Sequence, residues 1–431
     1  MDHSADFRIR WEWEPGQSVR APEHQATWAR INLFVNEDCV TLVEDRASGS
    51  SRRSIFAPLY PLAEWIVYNW WFLLAHSRPA RPGGSRRDRH CVRAAGDGFL
   101  WPNLEIFPEG RRTRVLWNRN VSFEEFAPIR YLTSGEATVD NDVMRQTLTH
   151  VVTSVLERLR EQEVPGTPLE KEWESLKILD IQEQQFCIAA AQLGLDPFAE
   201  TDRYESAIIG AAEQLPRNLL GDFFDAVHVD RILPAVDWLT AATAEASTVT
   251  GGANGEIREL RQALKTPGAS TEFLPYKIGW KHARVIREVL GLAPEHRLDV
   301  HKYASELYLS GADSSLQAVG VAPSDARPAV VLGRSLGPNG TRFILGRALW
   351  HRLAADEPSF LITTAYTERQ KIERAFAAEL LAPAVGIEAG LDVPPEEAVQ
   401  EDLGIVAEHF GVSAILVEHQ IDNQILVRNR T

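Results

Sequence analysis

Hydrophobic and charged residues alternate in RIRWEW (Arg8–Trp13), the period-two pattern of a half-buried strand. RINLFVNEDCVTLVED (Arg30–Asp45) reads as two short strands joined by a turn at Asn36-Glu37-Asp38, and LEIFPEGRRTRVLWN (Leu104–Asn118) as a hairpin around Pro108-Glu109-Gly110. Between them the period changes. Leu62, Trp65, Ile66, Asn69, Trp70, Leu73 and Leu74 recur at helical spacing behind Pro61, a residue suited to a first helical turn. This predicts one buried, Trp-rich helix. The whole stretch 1–135 is expected to be a β-rich domain.

From 138 to 246 the pattern is helical. Val143, Thr147, Val151, Val155 and Leu159 mark one stripe, and a helix through EQQFCIAAAQ stops at Gly194, with Pro197 just beyond. Further helices are predicted at Tyr204–Leu215, Leu219–Val227 and Arg231–Glu245. STVTGGANGE (Ser247–Glu256) has the composition of a flexible connection, so 247–275 is expected to be a linker. A last domain is expected over 276–431. Its signals are a helix from Tyr276, a short second helix in RLDVHKYASEL (Arg297–Leu307), a strand at Ala329–Leu332 and helices through Arg342–Leu353 and Ile372–Leu381. The fold class expected is α+β, mostly α.

Composition changes this picture little. At 431 residues, with 44% hydrophobic and 24% charged, the chain can bury a large core and is not of the disordered class. A formal net charge of -15 argues against a nucleic-acid binder that uses its whole surface. One local basic patch remains as a possible anion, nucleic-acid or partner contact: Arg78, Arg81, Arg86, Arg87, Arg89 and Arg93. The cysteines Cys39, Cys91 and Cys187 form no CxxC pair, so neither a disulfide framework nor a Cys-rich zinc site is indicated. The N-terminus lacks a signal-peptide pattern, and the apolar run Trp65–Ala75 is too short to span a bilayer. A cytoplasmic protein without a membrane partner is expected.

The chemistry-bearing motif is RFILGRALWHRL (Arg342–Leu353). In a zinc peptidase, H-E-x-x-H places two histidine ligands one helical turn apart and a general base beside them. In that frame this chain has Arg347, Ala348, Leu349, Trp350 and His351. Arginine is permanently cationic and has no lone pair for a metal, and alanine cannot take a proton from a metal-bound water.

Arg342-Phe343, FAAELLAP (Phe376–Pro383) and FGVS (Phe410–Ser413) follow one another in order. With the opening helix from Tyr276 and the strand at Ala329, they make residues 276–426 resemble the ImmA/IrrE-type metallopeptidase domain. The resemblance implies a zincin-like fold whose active site is degenerate. It implies a third zinc ligand from a glutamate just before the FAA segment, where this chain has Gln370 and Ile372; Glu373 is one residue out of register and is expected to point elsewhere. Glu368 lies further upstream. If a metal bound at all, His351, Glu368 and Glu373 would be the candidates, with His409 and His419 as other local groups. Otherwise His351 is a helical histidine satisfied by a neighbour, and Arg347 would pair with Glu368 or Glu373 in place of the metal. The expected function is a catalytically inactive regulatory or binding component of a stress-response, toxin–antitoxin or phage-related system, holding a protein partner and no cofactor. The alternative is a zinc-dependent metallopeptidase with a rearranged site.

Overall fold

The computed structural model describes residues 6–16, 19–77, 88–119, 127–249, 254–265, 274–322, 325–355 and 357–427. The chain is mixed α and β, predominantly helical, with strands in both halves. It divides into two compact units, residues 1–202 and 203–431. Among the described residues no helix is long and apolar enough to cross a membrane.

The first unit contains β1 (Phe7–Trp13), α1 (Pro22–Ala26), β2 (Trp28–Val35), β3 (Asp38–Cys39), β4 (Val43–Asp45), β5 (Ser51–Arg52), β6 (Ile55–Pro58), α2 (Tyr60–Tyr68), α3 (Trp70–Ala75), β7 (Asn103–Pro108), β8 (Arg112–Asn118), β9 (Ile129–Tyr131), β10 (Gly135–Asp140), α4 (Asn141–Glu161), α5 (Pro168–Lys177) and α6 (Ile181–Gln192). β1, β3 and β6 pair with β2; β7–β8–β10 and β5–β4–β9 form two further sheets. The predicted hairpin is β7–β8, turned at Gly110 with φ 90°. The predicted single helix is two, α2 and α3. The break falls at Asn69, whose backbone (φ -110°, ψ 15°) leaves the helical region, and whose side-chain amide donates to the Trp65 carbonyl at 2.8 Å.

The stretch 138–246 is not one helical body. Met144, Leu148, Val151, Val155 and Leu159 of α4, Trp173 of α5 and Cys187 of α6 belong to the same apolar core as the strands of the first unit. The remaining helices of the stretch lie in the second unit. An amphipathic face goes where it can be covered, and helical periodicity alone does not say by which partner.

The second unit starts with α7 (Glu205–Gln214), α8 (Arg217–Ala226), α9 (Ile232–Val249) and α10 (Gly255–Lys265), then α11 (Pro275–Val289). α10 lies inside the stretch expected to be a linker; its Ile257 and Leu260 are fully buried against α11 and later helices. There follow β11 (Ser305–Tyr308), β12 (Leu316–Val321), β13 (Ala329–Leu332), α12 (Pro338–Ala354), β14 (Ser359–Thr363), α13 (Glu368–Leu381), α14 (Ala384–Gly390), α15 (Gln400–Phe410), α16 (Ala414–Gln420) and a π turn (Ile421–Ile425). The sheet order is β11–β13–β12–β14, with β11 parallel to β13 and the other pairs antiparallel. The second helix expected in RLDVHKYASEL is a single 3-10 turn (Val300–Lys302) running into β11. Ser305 donates to the Pro328 carbonyl, so pairing with β13 overrides the local pattern.

α12 sits between two cores. Ile344, Leu345 and Ala348 pack with the sheet and α14–α16, while Leu349, Trp350 and Leu353 pack with α10, α11 and α13. Every residue from Thr341 to Leu353 except Phe343 is buried. Two glycines allow the close helix approaches. A Cβ on Gly279 of α11 would lie 2.4 Å from the Ile372 carbonyl of α13, and one on Gly346 would meet Ala377 at 3.1 Å. Arg347 and His351 of α12 are therefore held in the interior, and each must find its partners there.

Candidate functional site

α12 carries Arg347 and His351 one turn apart, and both are 1% exposed. α13 presents Gln370 and Glu373 to them, both fully buried. Arg347 donates Nε to Glu373 Oε1 at 2.7 Å, and Nη2 to the Thr363 carbonyl at 2.8 Å and Gln370 Oε1 at 2.7 Å. Its Nη2 also reaches Glu373, and Nη1 bonds Gln317 on β12. The guanidinium fork thus ties α12 to α13 and to the sheet.

His351 bonds Glu373 through Nε2, while its Nδ1 accepts from Arg369 Nη2 at 2.9 Å. An arginine can only donate, so the network assigns the proton to Nε2, which donates to Glu373 Oε2. The ring stacks on Phe360 with centroids 4.7 Å apart and planes 2° from parallel. Burial holds the His351 pKa below its ordinary value against the pull of Glu373. Burial pushes the Glu373 carboxyl up, but Arg347 and His351 outweigh it and keep the group below the usual carboxylate range.

α8 supplies a second acid. Asp222 is 7% exposed, lies 3.4 Å from Arg369 and accepts from Gln370 Nε2 at 3.4 Å. Its pKa is raised by burial, with Arg369 and His351 opposing. Arg369 also pairs with Glu357. Arg374, at the margin, donates to the Thr363 and Ala365 carbonyls; burial and the nearby charge of Arg347 lower its pKa to about 10.

These side chains also cover the outer edge of β14. In an antiparallel edge strand, alternate residues turn their backbone groups away from the sheet. Here the Ser359 carbonyl accepts from Asn218 Nδ2 at 2.7 Å, and the Leu361 carbonyl from Gln370 Nε2 at 3.4 Å. The Thr363 carbonyl accepts from Arg347 and Arg374, and the Thr363 N–H donates to Gln370 Oε1 at 3.2 Å. The Gln370 amide accepts from one residue and donates to another two places away, as a neighbouring strand would.

Several sequence expectations are met here and one is reversed. Arg347 pairs with Glu373, not Glu368, which sits half-buried in the first turn of α13. His351 is satisfied by neighbours. Glu373 does not point elsewhere. The side of α13 that faces α12 carries Gln370, Glu373, Ala377 and Leu380, and residues three and four apart share a helical face. Measured from Gln370, Glu373 is in phase; it is out of phase only with Ile372. Ala348 is packed in the apolar core. His409 bonds the Glu295 carbonyl, and His419 is exposed in the last turn of α16. Arg78, Arg81, Arg86 and Arg87 lie outside the described residues. Arg89 is described: its guanidinium lies over the Phe72 ring and 3.8 Å from Glu200, inside its own unit. Gln370 was noted in the sequence only as the residue at an expected ligand position, and Asp222, Arg369, Glu357 and Gln317 went unnoticed there. Only Asp222 left a signal there, because Leu219, Asp222, Phe223 and Ala226 put it on the apolar stripe of α8.

The donor set does not fit zinc. Zinc takes lone pairs from neutral imidazole, thiolate or carboxylate. The free lone pair of His351 is used by Arg369, its N–H is used by Glu373, and that carboxylate is shared with a guanidinium. Among the described residues no group of three His, Cys, Asp or Glu is arranged to hold a metal ion. No protein-family model matches this sequence, and no curated protein matches it.

Proposed function

We propose that the second unit is a degenerate ImmA/IrrE-like domain, and that the chain is a non-catalytic binding or regulatory protein that acts through contacts with a protein partner. One observation carries this reading: Arg347 and Glu373 occupy each other in the position where the resemblance would place a ligand and its metal. An ion pair with extra hydrogen bonds can cross-link two helices as a metal does, without a Lewis acid or a nucleophilic water. The covered edge of β14 supports the same reading, since an extended peptide adds to a sheet through free backbone groups at its edge. A stress-response, toxin–antitoxin or phage-related setting is what the resemblance implies for such a protein.

The test is zinc affinity by calorimetry, on the wild type and on the double variant R347H/A348E. The wild type should take up none. The double variant should gain a stoichiometric site, because two histidines one turn apart would then face Glu373. Tight zinc binding by the wild type, with chelator-sensitive peptide cleavage, would overturn the proposal.

A further inference from the structure

The sheet of the second unit has a second edge, and it is open. β11 pairs on one side only, with β13. Ser305 and Leu309 donate to the Pro328 and Leu332 carbonyls, so odd-numbered residues turn their backbone groups toward β13. Glu306 and Tyr308 consequently turn theirs outward, and among the described residues nothing takes them. Both are exposed, Tyr308 by 56%. Natural sheets usually blunt such an edge, and a bare one is a template for another strand.

Beside this edge lies a cavity of about 580 Å³, lined by Glu306 of β11, by Arg297, Asp299 and His301 before it, and by Thr341 and Arg342 at the start of α12. Its acids have local partners: Asp299 accepts from the His301 N–H at 3.2 Å, and Glu306 lies 3.8 Å from the His301 ring. Its guanidinia have no carboxylate partner. Arg342 is 5% exposed and, among the described residues, donates to the carbonyls of Gly411, Leu298 and Phe410. Arg297 lies across Gly411, and among the described residues neither arginine forms an ion pair. Burial and the charge of Arg297 lower the Arg342 pKa, and the charge of Asp299 opposes them. Asp299 offsets part of their charge, and the two guanidinia, neither in an ion pair, offer an anion delivered by a strand its hydrogen-bond donors.

We propose that the edge of β11 receives an extended peptide of the partner as an added strand, with one carboxylate of that peptide entering the cavity against Arg297 and Arg342. In strand addition the backbone supplies affinity, and pockets under alternate side chains supply specificity. Side chains of an added strand alternate in direction, so one carboxylate in register with the cavity suffices.

The inference rests on the binding-protein reading and names its surface. The probe is a labelled pool X-Thr-X-Glu-X-Thr-X, where X is Val, Ile or Tyr, with blocked ends, read by fluorescence anisotropy on the full chain. Binding is expected, at least tenfold weaker when the central Glu is Gln. R297A, an exposed change, should weaken the Glu pool tenfold and leave the Gln pool unchanged. Y308P removes an outward N–H and should weaken both pools. No binding at millimolar concentration would overturn the proposal; so would equal binding of Glu, Gln and Lys pools, or self-association abolished by Y308P, which would assign the edge to a second copy. Zinc in the wild type would sink the non-catalytic reading without altering the anisotropy result.

Discussion

Arg347 on α12 and Glu373 on α13 bond each other at 2.7 Å in an interior closed to water, at 1% and 0% exposure. Each needs the other. Removing one leaves the partner as a buried, uncompensated charge, whereas replacing both by apolar residues of similar volume removes the desolvation cost as well.

R347A should therefore destabilise the second unit by about 3–5 kcal/mol. At about 2–4 °C per kcal/mol for a domain of this size, its melting temperature should fall by roughly 10 °C. The double variant R347M/E373L should recover most of that loss. Differential scanning calorimetry decides it; a single-variant loss below about 1 kcal/mol would mean the pair is not the cross-link we describe.

The acid limb of stability has two steps with known signs. His351 is held neutral, so its folded pKa lies below its unfolded value of about 6.5; stability is present above that pH and starts to fall below it. Glu373 is held ionised, so its contribution is present above an unfolded pKa of about 4.3 and is lost as pH falls through the lower folded value. H351Q should remove the upper step and keep the lower one. Urea titrations from pH 7 to 3 would show this, and an unchanged slope between pH 6.5 and 5 would count against a buried neutral histidine.

Asp222 has the opposite sign. Burial raises its pKa, so its ionised form costs stability at neutral pH and the cost is relieved as pH falls through the folded value. D222N should be more stable than the wild type at pH 7, and the difference should shrink toward pH 4. A D222N loss at pH 7 would show instead that the contact with Arg369 at 3.4 Å outweighs burial.

Q370A should uncover the edge of β14. It removes the acceptor of the Thr363 N–H and a donor to the Leu361 carbonyl. The cost should be about 1–3 kcal/mol for buried groups left without partners. Hydrogen exchange at the Thr363 amide should quicken by tenfold or more, and unchanged protection there would mean another group shields the edge.

Much of this was legible in the sequence. β1, the β7–β8 hairpin and the helices α4, α6, α8, α9, α11, α12 and α13 follow from period-two or helical spacing, with Gly110 and Gly194 as punctuation, and β13 from a short apolar run. So does the reasoning that Arg347 cannot serve as a metal ligand, because that is a property of the side chain. Tertiary structure decided the rest. A helix divides at Asn69, where the backbone leaves the helical region, β11 is captured by a strand more than twenty residues later, and α10 forms because Ile257 and Leu260 find a core. The site was decided the same way. Arg347 required a buried anion, but which one depends on the phase in which α13 docks on α12, where Gly346 lets Ala377 come close. Asp222 reaches the network from α8, more than one hundred residues upstream of its partners, a distance that no local period can encode.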